Sequence, residues 1–568
     1  MLPYVLAGRT DPAGTSDADL TGAVGADVRL GVGPGATLSA TVNPDFAQVE
    51  QDPAVLNLTV FETFFPERRP FFLEDARTFL PGVQQFQLFH SRRIGRQPGY
   101  LDLEPDDEIV DRPAETTILG AAKLTGKSGS WTYGGLTAVT APEYATVETD
   151  GRRAERLIEP LTSYSVGRLQ RDVGSNSNVG GLMTVVNRDS AADAFTAGFD
   201  HSLRWSSNEW QWNGSYAATH APGDGGIRTG TGMVSNLSYE RKHAGLIVFS
   251  TRIDPDFRVN DVGFLRGRVD FQQAGFGVNG GQPDPWGIFR NVQLFGNVGR
   301  IWNTDGLNLG RFYNGGINAQ FRNFWRLAAF AGGNAERQDD LDTRGGPPIL
   351  RPPLSFVNFF LNSDSRKTWR IGVNGNGARS KDGSWNVRLG PNVTLQPSPR
   401  LQLSLAANYN FADEMAQWIK NIDVTGNGET DHVYGRLRRD VLDITVRSTF
   451  AIHRDMTLEL FLQPFVAVGD YTDIKRLARP HSYEFEPAML PDDPDFNTKS
   501  LRGNVVLRWE YLRGSTLFFV WNVSAVDRAR PGNFSPLDDL TGAFGADGTH
   551  SLMVKTTFWW SRWKMPDP

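Results

Sequence analysis

The sequence predicts an all-β fold: a large antiparallel transmembrane β-barrel of about 24 strands, between roughly 22 and 26, with an internal plug or constriction segment. Three observations predict it. The last segment alternates apolar and polar residues up to a cluster of aromatics. Similar alternating segments follow one another through most of the chain. The connections between them are tight on one side and mostly long on the other.

The terminal segment, His550 to Trp563, reads HSLMVKTTFWWSRW. Leu552, Val554, Thr556, Phe558 and Trp560 fall on one face of an extended strand, and Lys555, Thr557 and Ser561 on the other. That pattern sets an apolar face toward lipid and a polar face toward a lumen. The closing aromatics suit the membrane–water interface. An edge strand of a soluble sheet is the rival explanation, and the rest of the chain weighs against it.

A chain of 568 residues is too long for one ordinary globular core, so it holds several domains or one very large closed sheet. With no cysteine there is no disulfide framework and no thiol chemistry. The 60 Gly and 36 Phe suit many turns and strands with rings on apolar faces. Mean hydropathy is −0.36, and no run reaches the ~18 apolar residues of a membrane helix, which excludes a helical membrane protein but not a barrel. The net charge of −6 gives no footprint for nucleic acid. The opening MLPYVLAGRTD has neither a basic region nor an apolar core, so no signal peptide is read there. The sequence is expected to be a mature chain or a fragment, with Met1 an addition.

Alternation is plainest in the second half. Leu442, Ile444, Val446 and Phe450 oppose Asp443, Thr445, Arg447 and Thr449. After Arg454-Asp455, Met456, Leu458, Leu460 and Leu462 are expected outside, with Thr457, Glu459 and Gln463 inside. Trp385, Val387 and Leu389 oppose Asn386 and Arg388, and Trp369, Ile371 and Val373 oppose Arg370 and Asn374. Roughly two dozen such segments exceed the usual open sheet. The expected lumen-facing set is Asp443, Arg447, Glu459, Gln463, Arg388 and Arg370.

Arg513-Gly514, Arg454-Asp455, Ser398-Pro399 and Arg322-Asn323 read as tight periplasmic turns. The spans 527–549, 469–499, 411–438, 253–268 and 221–229 read as external connections. Residues 1–568 therefore form a single barrel. Within it, 43–115 loses the alternation and is expected to fold into the lumen. Gln85 to Arg92 is an alternative strand that would break the parity. Around Pro66 and Pro70, which interrupt any regular element, Glu62, Glu67, Arg68, Arg69 and Glu74 are interleaved with Phe64, Phe65, Phe71 and Phe72. So dense a mixture cannot face lipid. It suits a plug whose Arg68 and Arg69 meet acidic residues of the barrel wall. A mobile external loop is the alternative.

NPDFAQVEQDP at 43–53, followed by FETFFPERRPFFLE at 61–74, resembles the DUF5916 family of bacterial proteins. DPDFRVNDVGFLR at 254–266, FRNFW at 321–325 and LELFLQPFVAVGDYTDIKRL at 458–477 match the same family in order. The resemblance implies a C-terminal outer-membrane barrel that in family members follows a signal peptide and a family-9-type carbohydrate-binding module. The sequence at hand resembles the barrel region alone, so the sugar-binding residues of that module have no positions here.

DVTGNGETD at 423–431 hints at a calcium loop, with Asp423, Asn427 and Asp431 as candidate ligands. Gly428 stands sixth from Asp423, but twelfth is Tyr434 rather than a bidentate Glu. A solvated turn is the competing reading. No HExxH, GxSxG or Walker spacing is present, so no catalytic residue, cofactor or other metal site is expected. The expected function is passage or docking of solute, glycans included, across the bacterial outer membrane. The alternatives are a barrel-anchored carbohydrate-binding or glycan-processing accessory protein and a structural anchor without an open pore. Expected partners are outer-membrane lipid and lipopolysaccharide, the barrel-assembly machinery, and an N-terminal carbohydrate-binding module or periplasmic protein.

Overall fold

Alternating side chains give each strand one apolar and one polar face, and such a sheet is stable in lipid only when it leaves no open edge. In the computed structural model, which describes residues 1–14, 18–46, 49–80, 85–99, 108–529 and 534–560, that condition is met. Twenty-four antiparallel strands follow one another in chain order, each hydrogen-bonded to the next. Leu2–Asp11 pairs with Gly548–Thr557, with Tyr4 opposite Thr557 and Asp11 opposite His550, and this closes the ring. The terminal strand thus ends at Thr557, and Ser561 to Trp563 lie outside the described residues.

The outward face carries large exposed apolar residues all round, among them Val24, Phe276, Val278, Leu294, Leu552 and Trp560. In water so continuous a surface is costly; in a bilayer it is the belt that a barrel requires. The protein is a bacterial outer-membrane β-barrel. No helix among the described residues is long and apolar enough to cross a membrane.

One rim has tight turns, such as Arg513-Gly514, where Gly514 takes φ 77° between strands Phe496–Leu512 and Ser515–Ala529. The other rim carries the longer connections, but some of them are shorter than expected. The spans 411–438 and 469–499 are largely strand: Leu401–Ile422, Asp431–His453 and Met456–Leu477 have 22, 23 and 22 residues. That is about twice a membrane crossing of ~9–11 residues, so this part of the wall stands proud of the bilayer. Its extension has an apolar core of its own, in which Ile349, Ala416 and Tyr434 are buried against Trp418, Tyr483 and Phe485. Likewise 221–229 closes tightly, with Gly223 paired to Gly226.

Between Val42 and Ile118 the chain leaves the wall. Phe86–Gln87 forms a two-residue strand with Phe264–Leu265 outside the ring, so the parity of the wall is undisturbed. Further on, Glu108–Asp111 joins a small sheet with Glu143–Thr149 and Arg152–Glu159 at the long-connection rim. A second excursion places helix Pro536–Gly545 against the outward side of the wall. There Asp539 pairs with Lys499 at 3.1 Å and Ala546 packs on Leu501, Val523 and Ala525.

Candidate functional site

The lumen is lined by the inward half of every strand, and described residues between 43 and 99 contact inward wall residues such as Lys123, Arg447 and Lys555. Register transmits the inward face around the ring. Asp443 stands opposite Asn408, Arg447 opposite Ser404, and Gln463 opposite Arg502. Asn408 Nδ2 donates to Asp443 Oδ1 at 3.1 Å. Glu459 is opposite Thr449 on the same face. Arg388 stands opposite Asn376 and Asn410, and Arg370 opposite Thr394.

The inner segment organises itself around its own carboxylates. Arg69 forks onto Glu67, Nε–Oε1 2.9 Å and Nη2–Oε2 2.7 Å, and its guanidinium also donates to the carbonyls of Ser91 and Ile94. Ser91 Oγ and the N–H groups of Arg68 and Arg69 donate to Glu67 as well. Burial alone would raise the Glu67 pKa, but these donors, Arg69 foremost, bring it down to about 2. Arg93 grips Glu62 with two bonds of 2.8 and 2.7 Å. Arg68 pairs with Glu50. His90 is held between Phe64 and Phe264, with ring centroids 5.0 and 5.5 Å away, and burial followed by the charge of Arg93 lowers its pKa to about 4.

Among the described residues, Arg68 and Arg69 pair within the segment, with Glu50 and Glu67, and not with the acidic wall residues that the sequence led us to expect. The polarity across the gap is reversed. Wall cations meet the segment: Arg447 Nη2 donates to Glu50 Oε1 at 2.9 Å, Lys555 pairs with Asp45 at 3.2 Å, and Arg29 pairs with Glu74. Lys123 donates to the carbonyl of Phe71 at 2.6 Å and also to that of Glu74. Gln463 Oε1 accepts from the Ala54 N–H at 2.9 Å. An arginine inside the segment is better solvated by a neighbouring carboxylate and carbonyls, fixed by the local turn, than by a partner across a wide lumen.

The segment also has an apolar side. Phe72, Phe79, Phe86, Leu88, Phe89 and Ile94 are buried in one cluster with inward residues of the wall, including Leu136, Val166, Leu182, Ala217 and Val234. Phe71 and Phe72 meet edge to face at 5.1 Å, while Phe65 lines the adjoining cavity. That cavity, of about 1120 Å³, separates Glu50, Asp52 and Arg92 from Arg502, Asn522 and Met553 of the wall. The contacts named so far run to strands 29–253 and 447–555. On the side of the strands from Phe271 to Ser398 the segment is held more sparsely: Phe271 packs against the apolar cluster, and Arg344 Nη2 donates to the Leu58 carbonyl at 2.9 Å.

The candidate calcium ligands Asp423, Asn427 and Asp431 are engaged in hydrogen bonds. Asp423 accepts from the N–H groups of Gly426 at 2.6 Å and Gly428 at 2.8 Å, which lower its pKa, the Gly428 bond contributing most. Asn427 Oδ1 accepts from the Glu429 N–H, and Asp431 accepts from Arg476 at 2.8 Å and from the Val424 N–H. These oxygens hold donors, which is the arrangement of a capped turn rather than of a cation cage. Among the described residues no trio of His, Asp or Glu is placed to hold a metal.

A family model described as "Domain of unknown function (DUF5916)" matches residues 1–561. No curated protein matches the chain. Among solved structures, the chain is similar to the alcaligin outer-membrane receptor FauA of Bordetella pertussis, at 10% identity over 78% of this chain and 73% of that one, with a TM-score of 0.33. It is also similar to OpdQ of Pseudomonas aeruginosa, at 9% identity over 70% and 96% of the two chains and a TM-score of 0.29. The outer-membrane channel DcaP of Acinetobacter baumannii matches at 12% identity over 81% and 100%, with a TM-score of 0.22. Scores this low mark distant superpositions, and the fold rests on the strand pairing instead.

Proposed function

The chain belongs to the DUF5916 family, and from that premise we propose that it is an outer-membrane channel in which the segment 43–115 acts as a plug that fills one side of the lumen. On this reading hydrophilic solutes, glycans among them, pass or dock along the other side. The observation that carries the reading is the uneven distribution of contacts, dense on one side of the lumen and, on the other, sparse, with Phe271 and a hydrogen bond from Arg344 to the Leu58 carbonyl among them. The segment is fixed by an apolar cluster on the wall from Ala121 to Ile253 and by polar ties to Arg447, Gln463 and Lys555. An anchor without a pore would gain more from packing the lumen on all sides. The charged groups of the segment are satisfied by one another and by wall cations, an arrangement that favours a fixed constriction over acid–base chemistry.

Liposome swelling tests this reading. Vesicles carrying the full chain should swell in iso-osmotic small neutral solutes, at rates that fall as solute size rises. Absence of swelling with even the smallest solute, from a barrel that is folded by heat-modifiable gel migration, would exclude the channel.

A further inference from the structure

Four strands meet in register at one level of the lumen wall: Phe249 faces Gly275, Gly275 faces Gly299, and Gly299 faces Phe312. The two phenyl rings come from opposite ends of this row, yet their centroids are 6.3 Å apart with planes 22° apart. They approach because the glycines leave a floor for them. A Cβ on Gly275 would fall 2.4 Å from Phe249 Cζ, and one on Gly299 would fall 2.5 Å from Phe312 Cζ. The rings therefore lie flat on the wall, one face on backbone and the other toward the lumen. In the next row Asn297 donates to Asn314 at 2.9 Å, and beyond it Phe295 and Phe330 flank Gly316. From Gly245 to Asn362 the inward positions of the wall strands include Gln273, Asn279, Gln293, Asn318, Asn334 and Asn358, and Arg326 at the tight-turn rim is the one charge among them.

We propose that this two-ring platform and its amide border form a binding subsite for neutral saccharides. The proposal rests on the channel reading, since it needs a lumen open on this side. The charges that border the platform stand apart from its rings, Arg326 and Glu240 toward the tight-turn rim and Arg337 beside Gly310, so a charged ligand on the rings would be poorly paired, which is costly. A purely apolar ligand would strand the amides. A sugar ring satisfies both parts of the surface. Its polarised C–H face sits on the electron-rich faces of the phenyl rings, and its hydroxyls, each donor and acceptor, match amides that offer both roles. The flat placement on glycine also stiffens the sheet, so the test must read binding and not only stability.

The full chain in a non-glycosidic detergent is titrated calorimetrically with maltohexaose and, as a size control, with a polyethylene glycol of similar hydrodynamic radius. Maltohexaose should bind and the glycol should not. Phe249→Leu with Phe312→Leu keeps apolar cover but removes the flat faces, and binding should weaken roughly tenfold, ~1.4 kcal/mol. Phe276→Leu, an outward phenylalanine, should leave it unchanged. Should the double variant misfold, Asn297→Asp serves instead, since it spares the rings and places a charge in the border; it should also weaken binding. Swelling by small solutes without maltohexaose binding would overturn this inference and leave the channel standing. Failure of both would remove both. Binding that survives the double variant, or equal binding of the glycol, would overturn the platform alone.

Discussion

Arg447 of the barrel wall forks onto Glu50 of the inner segment, Nη2–Oε1 2.9 Å and Nε–Oε2 3.3 Å, and the same carboxylate also receives Arg68 of the segment. Burial alone would raise the Glu50 pKa, yet Arg447 and then Arg68 bring it below the usual carboxylate range. One side chain thus ties the segment both to itself and to the wall.

That double role sets the outcome of Arg447→Ala. Glu50 keeps Arg68, so no carboxylate is left unpaired, and Arg447 is nearly half exposed. The loss should be small, at most about 1 kcal/mol. It should appear as faster amide exchange over 49–56 with an unchanged barrel melting temperature. A variant that unfolds the barrel would show the tie to be structural for the wall itself.

Acid should loosen the segment in two steps. His90 has a folded pKa near 4 against an ordinary 6.5, so the unfolded segment binds the proton more readily. Its contribution is complete above pH 6.5 and is lost as pH falls from there toward 4. Glu67, lowered to about 2 from 4.5, keeps its full contribution above pH 4.5 and loses it as pH falls from there toward 2. Amide exchange over 85–95, corrected for intrinsic rates, should rise between pH 7 and pH 5 in the parent and stay flatter in His90→Gln. Identical pH profiles for the two would remove His90 from the account.

The two faces of strand Met456–Leu477 should tolerate charge differently. Leu460 lies on the lipid side and Glu459 on the lumen side. Leu460→Arg should lose about 2–4 kcal/mol if it sits near the bilayer midplane, whereas Glu459→Arg should cost much less. Equal losses in denaturant unfolding would mean that the faces are misassigned.

Orientation is open to cysteine labelling because the chain has none of its own. Asp492→Cys, in the long connection, should react with an impermeant thiol reagent on intact cells, and Asp455→Cys, at a tight turn, should not. The opposite pattern would invert the barrel.

Strand identity was legible in the sequence because alternation is a local signal: Leu552, Val554 and Lys555 declare their faces without help from distant residues. The outer parts of strands Leu401–Ile422 and Asp431–His453, within 411–438, were not, because above the membrane lipid no longer enforces the pattern. Residues such as Trp418 and Tyr434 answer there to a local core formed with residues far along the chain. The segment at 43–115 stood out by its lost periodicity, but its partners could not be read. Whether Arg68 meets Glu50 or a wall carboxylate depends on a fold in three dimensions. The platform of Phe249 and Phe312 was hidden for the same reason. Its glycines are 24 positions apart, and only register brings them side by side.

The central claim is that solute passes beside the segment, along the wall that carries Phe249, Asn297 and Phe312. Substituted-cysteine accessibility during single-channel recording tests it most directly. In planar bilayers the current through Asn314→Cys should fall when a charged methanethiosulfonate is added, while Lys123→Cys, beneath the segment, should be unaffected. A drop at Lys123→Cys with none at Asn314→Cys would place the path on the other side, and the absence of any current from the parent chain would contradict the account altogether.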